Sequence, residues 1–138
     1  MNGVSFLDSN VLIYTDDHSA PEKQAIALAL VEGGQADRGT FVSTQVLEEY
    51  FSAATRKLGV DAAIARRKVE LFSQLNVILI TVDDILGAID LHRLHRISFW
   101  DALLVHSARR AGCTTLLTED LQDGRRFDGI VVRNPFAQ

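Results

Sequence analysis

Short apolar runs alternate along this chain with longer stretches in which apolar residues recur at helical spacing. The first run covers residues 4–7 and ends at Asp8, as a buried strand would. Ser19-Ala20-Pro21-Glu22 then has the form of a capping box with proline in the first turn, and QAIALALVE behind it predicts a helix stopped by Gly33-Gly34. Phe41-Val42 reads as a second strand. Ser43 or Thr44 caps a helix through Leu58, with Gly59 as its stop signal. Asp61 caps another to about Gln74, and residues 77–80 form a β-branched strand. Asp83 begins a helix towards His95. Ser98 begins the next, ended by Gly112, with Arg109-Arg110 suited to its C-terminal dipole. Residues 115–118 and 130–132 supply the last strands. This order predicts an α/β fold, a central and mostly parallel sheet with helices on both faces.

Composition narrows the picture. A chain of 138 residues, 47% hydrophobic and 23% charged, suits one domain spanning 1–138 around one core. No apolar run reaches transmembrane length, and MNGVSFLD lacks the basic region and cleavage site of a signal peptide. Cys113 is alone and cannot form an internal disulfide, so the cytoplasm is the expected location. A net charge of -4 has the wrong sign for gripping nucleic acid by bulk electrostatics. Clustered acids around bound cations would account for that sign while reversing it locally. Basic pairs remain to line a groove: Arg56-Lys57, Arg66-Arg67-Lys68, Arg109-Arg110 and Arg125-Arg126. Solvated helix faces explain most such pairs.

The acidic residues carry the chemistry. Asp8 ends the first strand and Asp120 follows the strand at 115–118, so both point to the edge where open α/β sheets bind ligands. Glu48 and Glu49 fall early in the helix after the second strand, and a helical wheel does not choose between them. Asp101 lies among Phe99, Trp100, Ala102 and Leu103, where a carboxylate needs a compensating partner. Each acid has a plainer explanation: a Ser98-x-x-Asp101 capping box, a turn at Asp8-Ser9-Asn10, a polar loop around Asp120. Together, however, several carboxylates at one edge would repel one another without a cation. Hard oxygen donors suit magnesium or manganese. No Ser-His-Asp order, glycine-rich phosphate loop or CxxC pair competes, and metal-assisted phosphodiester hydrolysis is the leading chemistry.

Other polar residues weigh less. His92 and His95, three apart on a helix, lack a third nitrogen or sulfur ligand nearby. His106 reads as a helix-face or core histidine, Cys113 as a small hydrophobe, and Trp100 as a packing residue. Arg96, just ahead of Ser98, is a candidate phosphate contact.

Four segments in order, FLDSNVLIY, STQVLEEYFSAATRK, ISFWDALLVHSA and TLLTEDLQDG, resemble the signature segments of PIN-domain proteins, above all the VapC-type toxins of bacterial toxin–antitoxin pairs. The resemblance extends to the VVRNPF tail and implies a PIN-like three-layer α/β/α fold. It maps the acidic metal site onto Asp8, Glu49, Asp101 and Asp120. Asn10 matches a polar residue ordering the first acidic loop, and Thr118 the hydroxyl before the last acid. Ser9 stands where many relatives have threonine. Glu119 and Asp123 are candidates for outer ligands. The resemblance implies a magnesium- or manganese-dependent endoribonuclease, an RNA substrate, a cognate antitoxin and a homodimer, with no membrane association. Two alternatives are a non-catalytic module that binds an antitoxin-type partner, and a haloacid-dehalogenase-like phosphatase. The phosphatase wants a second acid two residues after the first, where this chain has Asn10.

Overall fold

A computed structural model describes residues 4–137. Its strand β1 (Ser5–Leu7) lies inside a six-stranded sheet of order β3-β2-β1-β4-β6-β5. β1 pairs in parallel with β2 (Thr40–Ser43) on one side and β4 (Thr115–Leu117) on the other. β3 (Asn76–Ile78) and β6 (Ile130–Arg133) extend the parallel sheet outward. Phe6, Leu7, Val42, Leu116 and Val132 are all buried, as expected of parallel strands covered by helices.

Among the described residues, six helices flank the sheet: α1 (Ser9–Tyr14), α2 (Pro21–Asp37), α3 (Thr44–Arg56), α4 (Ala62–Phe72), α5 (Val82–His95) and α6 (Phe99–Arg110). Local chemistry sets several starts. The Ser43 hydroxyl accepts from the Val46 amide and the Asp61 carboxylate from the Ala63 amide, both as the sequence predicts. The left-handed Gly59 and Gly112 follow α3 and α6 as stop signals. The predicted Cys113 reading also holds, for this residue is buried and apolar surroundings push its thiol up to about 12.

Five local features differ from the sequence reading. Asp8-Ser9-Asn10 acts as a cap rather than a plain turn: Asp8 is the N-cap of α1, a short helix the sequence reading did not place. Ser19 does not cap α2; its hydroxyl donates to Asp17, and Ala20 holds the cap position without a side-chain bond. α5 starts one residue before Asp83, because Thr81 and Asp84 form a full capping box there. A two-residue strand, β5 (Arg126–Phe127), pairs antiparallel with β6 through Asp128 and Gly129, both at positive φ. The Asp-Gly pair was the signal for that hairpin.

α2 also runs through Gly33-Gly34 instead of stopping there. Gly34 faces β2, and a Cβ on it would lie 2.6 Å from the side chain of Thr40. Close helix–sheet contact therefore explains Gly34, whereas Gly33 meets nothing within 4 Å. Gly34→Ala is expected to destabilise the fold by about 1–3 kcal/mol through overpacking. Gly33→Ala should stabilise it by up to about 1 kcal/mol through helix propensity. Urea unfolding of the two variants checks this; equal effects would remove the packing explanation.

Candidate active site

The site begins where β1 ends. Asp8 follows Leu7 and is only 2% exposed. One carboxylate oxygen accepts from the Ser9 amide at 2.6 Å, and the other accepts from the Thr118 hydroxyl at 2.7 Å. Thr118 follows β4, the parallel neighbour of β1, so the sheet register itself brings the two residues together. The Thr118 oxygen also accepts from Asn10 Nδ2 at 3.2 Å and from the Asp120 amide at 3.1 Å. One hydroxyl thus ties Asp8, Asn10 and Asp120 into a single corner.

α3 and α6 bring the other two acids. Glu49 sits half-buried on α3, and Gln45, one turn earlier and buried, donates to its carboxylate at 3.4 Å. The same Gln45 amide lies 3.3 Å from the Trp100 carbonyl, next to Asp101 on α6. Gln45 therefore couples the two acidic helices, and sequence reasoning missed it because a lone glutamine carries no spacing signal. At Ser98 only half of the proposed box forms. Its hydroxyl accepts from the Asp101 amide, with no return bond from the carboxylate among the described residues.

Burial and neighbouring charge act together on these acids. Burial raises Asp8 to about 7, with the charges of Asp120 and Glu49 adding to it against the Thr118 and Ser9 bonds. Glu49 is also raised, first by burial and then by Asp101 and Asp120, against hydrogen bonds from Gln45 and Ser9. All four acids are thus electrostatic neighbours. Among the described residues, no three His, Cys, Asp or Glu side chains stand close enough to close around one ion. Magnesium does not require that, since it commonly takes one or two carboxylates and keeps several waters. The buried Asn10 Oδ1 has no hydrogen-bond partner, which leaves a further hard oxygen beside Asp8. The donor set fits a hydrated magnesium or manganese ion.

A cavity of about 570 Å³ opens beside this corner, with Ser9, Asn10, Glu49 and Asp120 in its wall. Arg56 and Lys57, from the end of α3, line the same cavity. They are the basic pair that reaches it. Arg66 pairs with Glu70, Lys68 with Asp16, Arg109 with Asp128 and Arg110 with Asp84. Arg125 stacks over Phe127. Arg96 is exposed in a left-handed turn between α5 and α6 and does not line this cavity.

The remaining candidates separate cleanly. Glu48 is exposed and lines a different, apolar groove between α3 and α4, which distinguishes it from Glu49. Glu119 is held by Tyr14 and Lys23, and Asp123 accepts from the Asn134 amide. His92 bonds the Ile97 carbonyl, and the His95 ring meets the edge of Phe127, so they form no metal pair. His106 bonds the buried Asp84 at 2.9 Å, where Gly87 gives its ring room. Trp100 is 60% exposed and packs against Phe99, so only part of its ring serves packing.

The chain matches the PIN domain family over residues 5–128. It belongs to that family, which sets aside the haloacid-dehalogenase-like alternative. The fold is shared by solved structures that include the following three. A toxin–antitoxin complex from Klebsiella pneumoniae superposes with a TM-score of 0.69 at 19% identity, over 96% of this chain and 98% of that one. Mycobacterium tuberculosis VapC20, described as a sarcin-ricin loop cleaving toxin, gives 0.65 at 22% identity over 81% and 86%. VapBC2 from Rickettsia felis, bound to a promoter DNA fragment, gives 0.64 at 18% identity over 94% and 97%. No curated protein sequence matches significantly. Among the described residues, no helix is long and apolar enough to cross a membrane.

The raised Asp8 has a consequence for the metal-free protein. With its folded value near 7 and its unfolded value near 3.8, the native state binds more protons between those limits. Stability should therefore fall as pH rises from about 4 to about 7. Asp8→Asn should flatten that slope and be the more stable protein above pH 7. Urea titrations across this range in chelator provide the check; an unchanged slope in Asp8→Asn would contradict the assignment.

Proposed function

We propose that this chain is a magnesium- or manganese-dependent endoribonuclease acting as the toxin of a toxin–antitoxin pair in the cytoplasm. The observation that carries the reading is the buried Asp8 at the end of β1, with Asp120 and Glu49 charged against it. In a PIN domain, that gathering of carboxylates is best explained by divalent cation binding. The solved structures with this fold that are described as toxins or toxin–antitoxin complexes support the biological role and an antitoxin as partner.

Asp8, Glu49, Asp101 and Asp120 would hold the ion, with Asn10 and Thr118 fixing the first acidic corner. A divalent ion held there would lower the pKa of a coordinated water and offset charge at the leaving oxygen. Glu49 has a proton affinity raised by burial and by its acidic neighbours. As a ligand of the ion it would give up that proton, and its place in the cavity wall with Asp120 would let it orient the attacking water. Arg56 and Lys57 in the cavity wall are placed to receive backbone phosphates, and so offset the net charge of -4 for an RNA strand. Ser9 and Gln45 hold Glu49 in place.

Cleavage of defined RNAs by the partner-free protein in magnesium or manganese tests the reading. Asp8→Ala, Asp101→Asn and a chelator should each abolish cleavage, and Glu49→Gln should lower kcat by about 10²–10⁴-fold. The paired change Arg56→Ala and Lys57→Ala should instead raise KM and weaken its salt dependence. Circular dichroism should stay unchanged in chelator, because the site sits on a finished core. Wild-type activity in Asp101→Asn would remove that residue from the site. A folded protein inert on all RNAs would favour the binding-module alternative.

A further inference from the structure

Helix α3 presents one stripe to the cavity beside the acidic corner. Glu49, Ser52, Ala53 and Arg56 follow one another along it at helical spacing and, with Lys57, line the cavity. Gln45 extends the stripe by a turn towards the helix start, where its side-chain nitrogen reaches both the Glu49 carboxylate and the Trp100 carbonyl. The stripe thus has Trp100 at one end, Glu49 in between and a basic pair at the other. From Gln45 to Arg56 it rises roughly 16 Å. Trp100 is the one tryptophan of the chain and is 60% exposed, whereas Phe6, Tyr50, Phe72, Phe127 and Phe136 are buried. Single exposed apolar residues are ordinary on a protein surface. Position sets this one apart: it directly precedes Asp101, its backbone is tied to Glu49 through Gln45, and the half-buried Phe99 meets its ring edge-on at 5.0 Å.

We propose that Trp100 is a stacking platform for one unpaired base of the RNA strand, whose backbone then follows α3 past Glu49 to Arg56 and Lys57. The proposal takes its substrate from the ribonuclease reading above and narrows it to RNA that is single-stranded at the site. In a duplex both faces of a base are covered by its neighbours, whereas an unpaired base can splay out onto an aromatic side chain. Stacking of this kind accepts any base, because every base has a π-face. An arginine of a protein partner could also rest on the indole ring. The basic pair at the far end of the same stripe favours a polyanion instead.

As the sole tryptophan, Trp100 reports on the site through its own fluorescence. In the non-cleaving Asp8→Asn protein, single-stranded RNA should quench that emission in step with the rising anisotropy of the labelled strand. The same RNA annealed to its complement should leave the emission unchanged. In the otherwise wild-type enzyme, Trp100→Ala should raise KM about 5–100-fold and leave kcat within about twofold. Trp100→Phe should recover most of that loss, and circular dichroism should be unchanged in both. An abasic nucleotide, scanned along the strand, should weaken binding at one position, and Trp100→Ala should erase that minimum. RNA that binds without quenching, quenching equal with paired RNA, or an unchanged KM in Trp100→Ala overturns the stacking and leaves the ribonuclease reading intact. Quenching by RNA that the wild type never cleaves overturns the ribonuclease reading and keeps the stacking. Quenching by an arginine-rich peptide and by no RNA assigns the ring to a protein partner and overturns the proposal.

Discussion

The arrangement of the site depends on one costly placement: a carboxylate at the end of an interior parallel strand. Asp8 is almost wholly withdrawn from water, yet two short hydrogen bonds hold it in one orientation. An apolar residue at this position would remove the cost of burial, and asparagine would keep its shape. The chain instead keeps an acid and sets further acids around it. Burial is set against the ionised form here, a cost that a cation bound as proposed would offset.

From that placement the rest of the site follows through secondary structure. Parallel pairing of β1 with β4 puts Thr118 level with Asp8 and carries Asp120 into the same corner. β2, on the other side of β1, hands the chain through Ser43 into α3, which carries Glu49 inward and Arg56-Lys57 to the cavity wall. α6 approaches with Asp101 near its start, and Gln45 spans the gap to it. Acids and bases thus line different parts of one groove. Under the proposed function, the acidic net charge is therefore no obstacle to an RNA strand, because contact with it would be local.

Residues whose role is fixed by local pattern were legible in the sequence. Asp8 and Asp120 could be placed at strand ends, and Ser43 and Asp61 as caps, because alternation and capping act over a few residues. The choice of Glu49 over Glu48 was not legible from the wheel, since both flank the same apolar stripe; only the packing of α3 against α1 and α4 separates them. The continuation of α2 through Gly34 likewise depends on Thr40 in another element. Gln45 and the Arg56-Lys57 pair became functional candidates through contacts more distant than any motif. Arg96 shows the converse, as closeness to Asp101 in sequence does not bring it into the cavity wall.

The central claim is that these carboxylates form one cation site with Asp8 at its base. Calorimetric titration of manganese into the RNA-free protein, at several pH values and in buffers of different ionisation enthalpy, tests it most directly. The account predicts binding that weakens towards acid pH and releases protons near pH 6–7, and that is lost in Asp8→Asn with the fold intact. Binding unaffected by Asp8→Asn, or no binding at millimolar manganese, would contradict it.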